Sequence, residues 1–431
     1  MPVHRRTLLG AGLAGVLTGC ADGRPTPSPR WVGASTPASS ARPGPAAPGR
    51  APSAADVTGL LTRGLTPATG NPRHPAYAGA VALATVGGQV ILRTAVGHAL
   101  RYAAGPEELP AAERVAMRPD SVFDIASITK VYTAVLVLHL ADRGMVDLDA
   151  PVARYLPAFT GAGKSAVTVA MLLAHTGGLP VGATVTGLRS DAARREAVLR
   201  TPLLRGAAPG TTFRYSSVGI MVLGHLVERL TGTSLDRALR DIITTPLGLQ
   251  DTGFRPLRRL GAEDRRARLV ATDARTSRGL LRGTVHDDVA ARLGGVAGHA
   301  GIFATAHDVA VIGQLLLGGG AYRGTRILSA GIVERMLTNH NAGKPAVDAE
   351  RPGRSSDHGL GVVLHQPWFM GRLSGPATFG HTGFTGTSLL VDPRRQLVLV
   401  LLTNRAHPNW SWAEPDPVRV AVANAMAASV P

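Results

Sequence analysis

Two paired apolar runs, one near each end of the chain, constrain its architecture more than any other feature. Residues 78–98 (AGAVALATVGGQVILRTAVGH) hold two Val/Ala/Ile-rich stretches on either side of Gly87-Gly88, a spacing that predicts a tight β-hairpin. Residues 387–404 (TSLLVDPRRQLVLVLLTN) repeat the pattern around Asp392-Pro393. Between the hairpins, apolar residues recur at helical spacing instead. The runs 127–144, 168–178 and 216–232 each stop on glycine, at Gly144, Gly177-Gly178 and Gly232, as helices commonly do. Residues 304–320 open with Thr305-x-x-Asp308, a capping-box-like start. Residues 56–65 read as a short amphipathic helix, and a closing helix follows Pro417. Strands at both ends with helices between predict an α/β chain of the α+β type. Its antiparallel sheet is formed by both chain ends and flanked by helices, with an inserted helical subdomain. A crevice between the two parts is a natural place for a site.

The 431 residues are 45% hydrophobic and 17% charged, which suits a globular protein with a sizeable core. The net charge is +17, but Arg supplies nearly all of the 46 basic residues, and the only lysines are Lys130, Lys164 and Lys344. Zinc-finger spacing and aromatic–basic interleaving are missing from the sequence, and aromatics are 4%. These features argue against a nucleic-acid partner.

The sole cysteine is Cys20, so no internal disulfide can form. Residues 1–20 (MPVHRRTLLGAGLAGVLTGC) join a basic Arg5-Arg6 to an apolar run, Leu8 to Leu17, that is too short to span a bilayer. This is signal-peptide anatomy, and Arg-Arg-Thr-Leu-Leu resembles a twin-arginine export signal. Leu17-Thr18-Gly19-Cys20 resembles a bacterial lipobox, which implies acylation of Cys20 and a lipid anchor on the outer face of the cytoplasmic membrane. An ordinary signal with an incidental cysteine is the alternative. Residues 21–54 are rich in Pro, Ala, Ser and Gly and read as a disordered tether. The folded domain then spans 55–431.

The sharpest chemical signal is Ser127-Ile128-Thr129-Lys130. A spacing of three on a helix puts both side chains on one face. Ser127 opens the helix, where free N–H groups favour a developing anion. A serine hydroxyl becomes an effective nucleophile when a nearby base takes its proton. A lysine in apolar surroundings can be that base, whereas an arginine cannot. The turn that follows, Val131 to Leu140, is strongly apolar, and no other Ser-x-x-Lys occurs in the chain. A serine N-cap with a solvated lysine one turn on is the plainer reading of such a tetrapeptide.

The surrounding segments carry a resemblance. FDIASITKVYTAVLVLHLADRGMVDLDAPVARYLPAF (123–159), LLAHTGGLP (172–180), PGTTFRYSSVGIMVLGHLVERLTG (209–232), PLGLQDTGF (246–254) and GHTGFTG (380–386) follow one another in the order seen in class C β-lactamases, D,D-peptidases and their esterase relatives. The likeness runs from about 75 to 430 and implies the β-lactamase/transpeptidase-like, penicillin-binding-protein fold. It implies that Tyr215 shares proton traffic with Lys130, and that the backbone N–H groups of Ser127 and Phe384 form an oxyanion hole. Ser217 stands where the family usually carries Asn, a longer side chain with more hydrogen-bonding groups, so recognition of an amide side chain is in question. Ser216 or Ser217 could equally cap the next helix. His381-Thr382-Gly383 matches the family's third element, often Lys-Thr-Gly. There His381 would line the edge strand and polarise the site or meet a substrate carboxylate, and Gly383 would let substrate approach the strand. His175 belongs to the family's loop and reads as structural. Residues 284–308, with His286, Asp287, Asp288 and His299, resemble a subgroup of penicillin-binding-protein-like hydrolases. They read as a glycine-rich loop beside the cleft rather than a metal site, since zinc spacings are absent.

The expected reaction is acyl transfer to Ser127 from an ester or amide carbonyl, with no cofactor and no metal. A small-molecule or peptidoglycan-derived acyl substrate would fit, with D,D-carboxypeptidase and esterase activity both open and β-lactamase activity behind them. A catalytically inactive envelope-binding module of the same fold is the alternative of a different class.

Overall fold

A computed structural model describes residues 54–348, 351 and 353–430. The signal segment 1–20 with Cys20, and the 21–54 tether up to residue 53, lie outside the described residues. Among the described residues no helix is long and apolar enough to cross a membrane.

The first hairpin forms as its sequence predicts. β1 (Gly79–Val86) and β2 (Gln89–Leu100) are joined by Gly87 and Gly88, with φ of +56° and +80°. A two-residue type I′ turn needs both left-handed conformations. The strands β3 (Val115–Ala116), β4 (Val363–Leu364), β5 (Phe379–Thr382), β6 (Thr387–Asp392) and β7 (Leu397–Thr403) complete a seven-stranded sheet in the order β4-β5-β6-β7-β1-β2-β3. Every pairing is antiparallel. The two chain ends meet in its middle, where β1 pairs with β7 from Ala80–Thr403 to Val86–Leu397.

The central strands are buried on both faces. Val81 and Leu83 of β1 join one core with Leu389, Val398 and Val400, whereas Ala80, Ala82 and Ala84 join another with Leu390, Leu399 and Leu401. That is why these strands read as unbroken apolar runs rather than as alternating ones. Helices α1 (Ala54–Arg63), α2 (Thr129–Asp142), α3 (Ser217–Thr231), α4 (Ala306–Leu317) and α5 (Asp416–Ala427) supply most of the packing around the sheet and the site. α1 and α5 cover the second core through Val57, Leu61, Val422 and Met426. α4 lies across the other face, where Gly313 sits so close to the sheet that a Cβ would fall 2.6 Å from Val398 Cγ1.

α2 is deeply enclosed, with every residue from Thr129 to Leu140 buried. A helix apolar all round belongs in a core, and this one packs against α3 inside the helical insertion between β3 and β4. Three short strands inside that insertion have no clear periodicity in the sequence. Residues 302–304 pair with Phe123–Asp124 on one side and with Gly253–Phe254 on the other. This small sheet fastens the segment just before Ser127 to the glycine-rich loop 293–301.

Candidate active site

The site grows from a tight turn. Ser127 lies in a 3₁₀ turn, Ala126–Ile128, and α2 proper begins two residues later at Thr129. Ala126 has φ +47°, a left-handed conformation that a non-glycine residue adopts at a cost of about 1–3 kcal/mol. Several bonds hold it there. Asp124 accepts from Ala126 N–H at 2.8 Å and from His286 N–H at 2.7 Å. Thr385 donates its hydroxyl to Asp124 O at 2.8 Å, and Thr387 to Ile125 O at 3.1 Å. Ile125 N–H reaches Ile302 O at 3.1 Å. Asp124 is fully buried, and burial pushes its carboxyl up to about 6, against the pull of its two N–H donors.

Lys130 projects from the first turn of α2 and is 0% exposed. Its Nζ lies 2.9 Å from Ser127 Oγ and 3.1 Å from His299 O. The two residues singled out by spacing therefore do meet. Tyr215 joins them: Lys130 Nζ is 5.0 Å from its ring centroid. The same ring lies 4.7 Å from that of His175 and 6.3 Å from that of His381. Its hydroxyl has no hydrogen-bond partner among the described residues, and contacts of this kind often tighten only with substrate bound.

Of the two serines after Tyr215, Ser216 is the cap. Its Oγ accepts from Gly219 N–H at 3.1 Å and donates to Pro180 O at 2.7 Å. Ser217 begins α3, and its N–H reaches Val181 O at 3.1 Å. His175 has φ +57° and accepts from Ser216 N–H at 3.1 Å, so it fixes the Tyr215–Ser217 segment in place.

The third element sits opposite. β5 is not the outermost strand, because β4 pairs with Phe379 and Gly380. His381 and Thr382 run past the end of β4 and keep an open side there. His381 is 3% exposed. Its Nδ1–H donates to Thr382 O at 2.8 Å, and its buried Nε2 is left without a partner. Burial, with help from the Lys130 charge, holds the ring well below the ordinary imidazole range. The ring is therefore neutral, and it offers an acceptor lone pair rather than a charge for a carboxylate. Gly383 carries a packing constraint that its sequence reading did not include. A Cβ there would run into Thr387 Oγ1 and fall 2.5 Å from Ile125 O, so the glycine makes room for the turn that carries Ser127. Gly383 O accepts from Arg419 at 2.8 Å, and Thr387 O from the same guanidinium at 2.9 Å. This buried arginine on α5 has no motif to reveal it. Phe384 is 42% exposed and lies near His286, Trp410 and Arg405. The backbone N–H groups of Ser127 and Phe384 have no acceptor among the described residues.

The histidines and acids of 284–308 serve separate ends. Asp287 caps the short helix Asp288–Arg292 by accepting from Ala290 N–H at 2.8 Å, and it also accepts from His299 Nε2 at 2.9 Å. Burial alone would raise the Asp287 carboxyl, but the His299 bond and charge, the Ala290 N–H and the Lys130 charge hold it well below the usual range. Asp288 pairs outward with Arg278 at 2.8 Å. Burial brings His286 down to about 4. No group of three or more His, Cys, Asp or Glu among the described residues could hold a metal ion. A cavity of about 200 Å³ lies beside this loop, lined by His225, Glu228, Arg195 and Gly298 among others, and none of Ser127, Lys130, Tyr215 or His381 lines it.

A sequence profile of the family described as β-lactamase matches residues 68–424. The chain belongs to the β-lactamase family. A protein of Escherichia coli (strain K12) named "Putative D-alanyl-D-alanine carboxypeptidase" is 31% identical over 350 residues, 74% of this chain and 76% of that protein. The crystal structure of a novel penicillin-binding protein homolog from Caulobacter crescentus superposes with a TM-score of 0.64 at 21% identity, covering 89% of this chain and 99% of that one. A class C β-lactamase from Rhodobacter sphaeroides gives 0.57 at 22%, covering 80% and 93%. These two likenesses are likenesses of fold. As a member of the β-lactamase family with carboxypeptidase-named relatives, the chain is a serine hydrolase.

Proposed function

We propose that this β-lactamase-family hydrolase is exported, tethered through an acylated Cys20, and removes a terminal residue from peptidoglycan-type D,D-peptides through an acyl-enzyme on Ser127. The observation that carries the mechanism is the 2.9 Å contact between Ser127 Oγ and the wholly buried Lys130 Nζ. In its uncharged form Lys130 takes the Ser127 hydroxyl proton as Oγ bonds to the substrate carbonyl carbon. The N–H groups of Ser127 and Phe384 receive the oxyanion, and one such donor is worth about 10²–10³ in rate. The carbon–nitrogen bond then breaks, and Tyr215 passes the proton from Lys130 to the departing amine. Water cleaves the acyl ester and restores Ser127. Thr382 and Gly383 supply the strand along which substrate lies, with Ser217 and His381 beside it.

The carboxypeptidase reading draws on the 31% identical relatives. Two observations favour an esterase as the second reading: Ser217 is shorter than the amide it replaces, and the neutral His381 offers a substrate carboxylate no charge. Intact-mass analysis after parallel exposure to a penicillin, a D-Ala-D-Ala peptide and a p-nitrophenyl ester decides between them. A Ser127 adduct with penicillin or peptide supports the first reading, and turnover of the ester alone supports the second. Failure of all three on wild-type protein leaves an inactive module.

A further inference from the structure

The loop that holds Lys130 is rich in glycine. Lys130 Nζ has two hydrogen-bonding partners, Ser127 Oγ and His299 O, and no bond joins it to Ser217, where the family usually presents an amide. Its position relative to Ser127 therefore leans on one backbone carbonyl. That carbonyl belongs to a segment with Gly294, Gly295, Gly298 and Gly301, three of which have φ between +77° and +117°. Glycine gives such a segment wide backbone freedom.

Two devices oppose that freedom. From one side, α2 grips successive carbonyls of the loop with residues one turn apart. Lys130 binds His299 O, and Thr133 Oγ1 donates to Gly298 O at 2.6 Å. From the other side, the His299 ring, 1% exposed, donates from Nε2 to Asp287 Oδ1 at 2.9 Å. Asp287 is in turn fixed by capping the helix Asp288–Arg292. The fit between loop and α3 is close, since a Cβ on Gly298 would meet Ile220 O.

We infer that Asp287 and His299 form a clamp whose role is to position Lys130 for proton transfer, so that both are positioning residues for the reaction at Ser127. His299 acts through its carbonyl and Asp287 through the His299 ring. Neither touches the reacting atoms. This inference rests on the reading of Ser127 and Lys130 as nucleophile and base.

The test compares wild type with Asp287→Ala, His299→Ala and Asp287→Asn in ester turnover and in fluorophosphonate labelling of Ser127. The alanine variants are expected to lose about a hundredfold in kcat and in labelling rate, the scale of a misplacement of about 1 Å, with KM within a factor of about two. Asp287→Asn keeps an acceptor for both Ala290 and His299 but not the charge, so it is expected to recover most of the loss. A kcat unchanged in folded alanine variants, or a loss that appears only in KM, overturns the clamp. If the alanine variants fail to fold, Asp287→Asn carries the test through its crystal structure and labelling rate. A labelling rate at or below the level expected for alanine, with Lys130 Nζ still in contact with both partners, overturns it as well. Wild-type protein that never labels at Ser127 overturns the hydrolase reading instead. The clamp is then judged by the crystal structure of Asp287→Ala, where an undisturbed Lys130–His299 contact refutes it.

Discussion

The two sides of the site are built to different standards. On one side, the segment 124–130 is tied down atom by atom: Asp124, Ile125 and Lys130 bond across to the β5–β6 hairpin, to 286 or to 299–302, and Ala126 N–H bonds to Asp124. On the other, the segment 381–384 ends in a neutral His381 with a bare Nε2 and a Phe384 ring that is 42% exposed. The first side fixes a geometry, and the second keeps an unpartnered imidazole nitrogen and an exposed ring. In the proposed mechanism the rigid side supplies nucleophile and base, and the open side supplies an oxyanion donor and the groups that meet substrate.

Changes to the rigid side should have the largest effects. Ser127→Ala and Lys130→Arg are each expected to lower turnover by at least about 10³-fold, read as ester hydrolysis with intact-mass analysis of the adduct. Near-normal rates in Lys130→Arg would show that the rigid side is not the catalytic one. Gly383→Ala lies on the seam between the two sides. Its new methyl meets Ile125 O and Thr387 Oγ1, so it should cost about 1–3 kcal/mol of stability and shift Ser127 enough to slow labelling about a hundredfold. An alanine variant with wild-type kinetics would show that the seam can give.

On the open side, His381→Lys restores a positive charge next to Thr382. It should lower KM for carboxylate-bearing D,D-peptides about tenfold, the worth of one hydrogen bond to a charged group, and leave neutral esters unaffected. Equal changes for both substrates would mean that this side does not discriminate.

A separate effect, on stability and not on turnover, follows pH. Burial holds His286 at about 4, and His358 and His407 at about 3, against an ordinary value of 6.5. As pH falls from 6.5 toward 4, the unfolded chain binds protons that the folded one refuses, so stability present above 6.5 is lost. Asp124 works in the opposite sense. Its raised value of about 6 favours the folded state at low pH, and that contribution disappears as pH rises through 6. The melting temperature should therefore drop between pH 6.5 and 4, and drop more steeply in Asp124→Asn. A flat profile would mean these histidines are not shielded from water.

The sequence makes one side far easier to read than the other. Ser127 and Lys130 are local, separated by one helical turn, and the hairpins of β1–β2 and β6–β7 announce themselves through continuous apolar runs. Their faces needed the structure, because strands buried on both sides show no alternation. Asp124, His299 and Arg419 act through partners more than 30 positions away, and no periodicity records such a meeting. A second constraint on Gly383 was hidden for the same reason. What presses on it is a carbonyl from residue 125, more than 250 positions back.

The pairing of β1 with β7 sets a schedule for the nascent chain. Ala80 has to wait for Thr403, and at translation rates of about 5–20 residues per second that delay is roughly 15–60 s. Through that interval one edge of β1 has no partner strand, and Thr385 and Thr387 have yet to be made. A transcript broken anywhere before the last hairpin would therefore yield a sticky, inert fragment rather than a weaker enzyme.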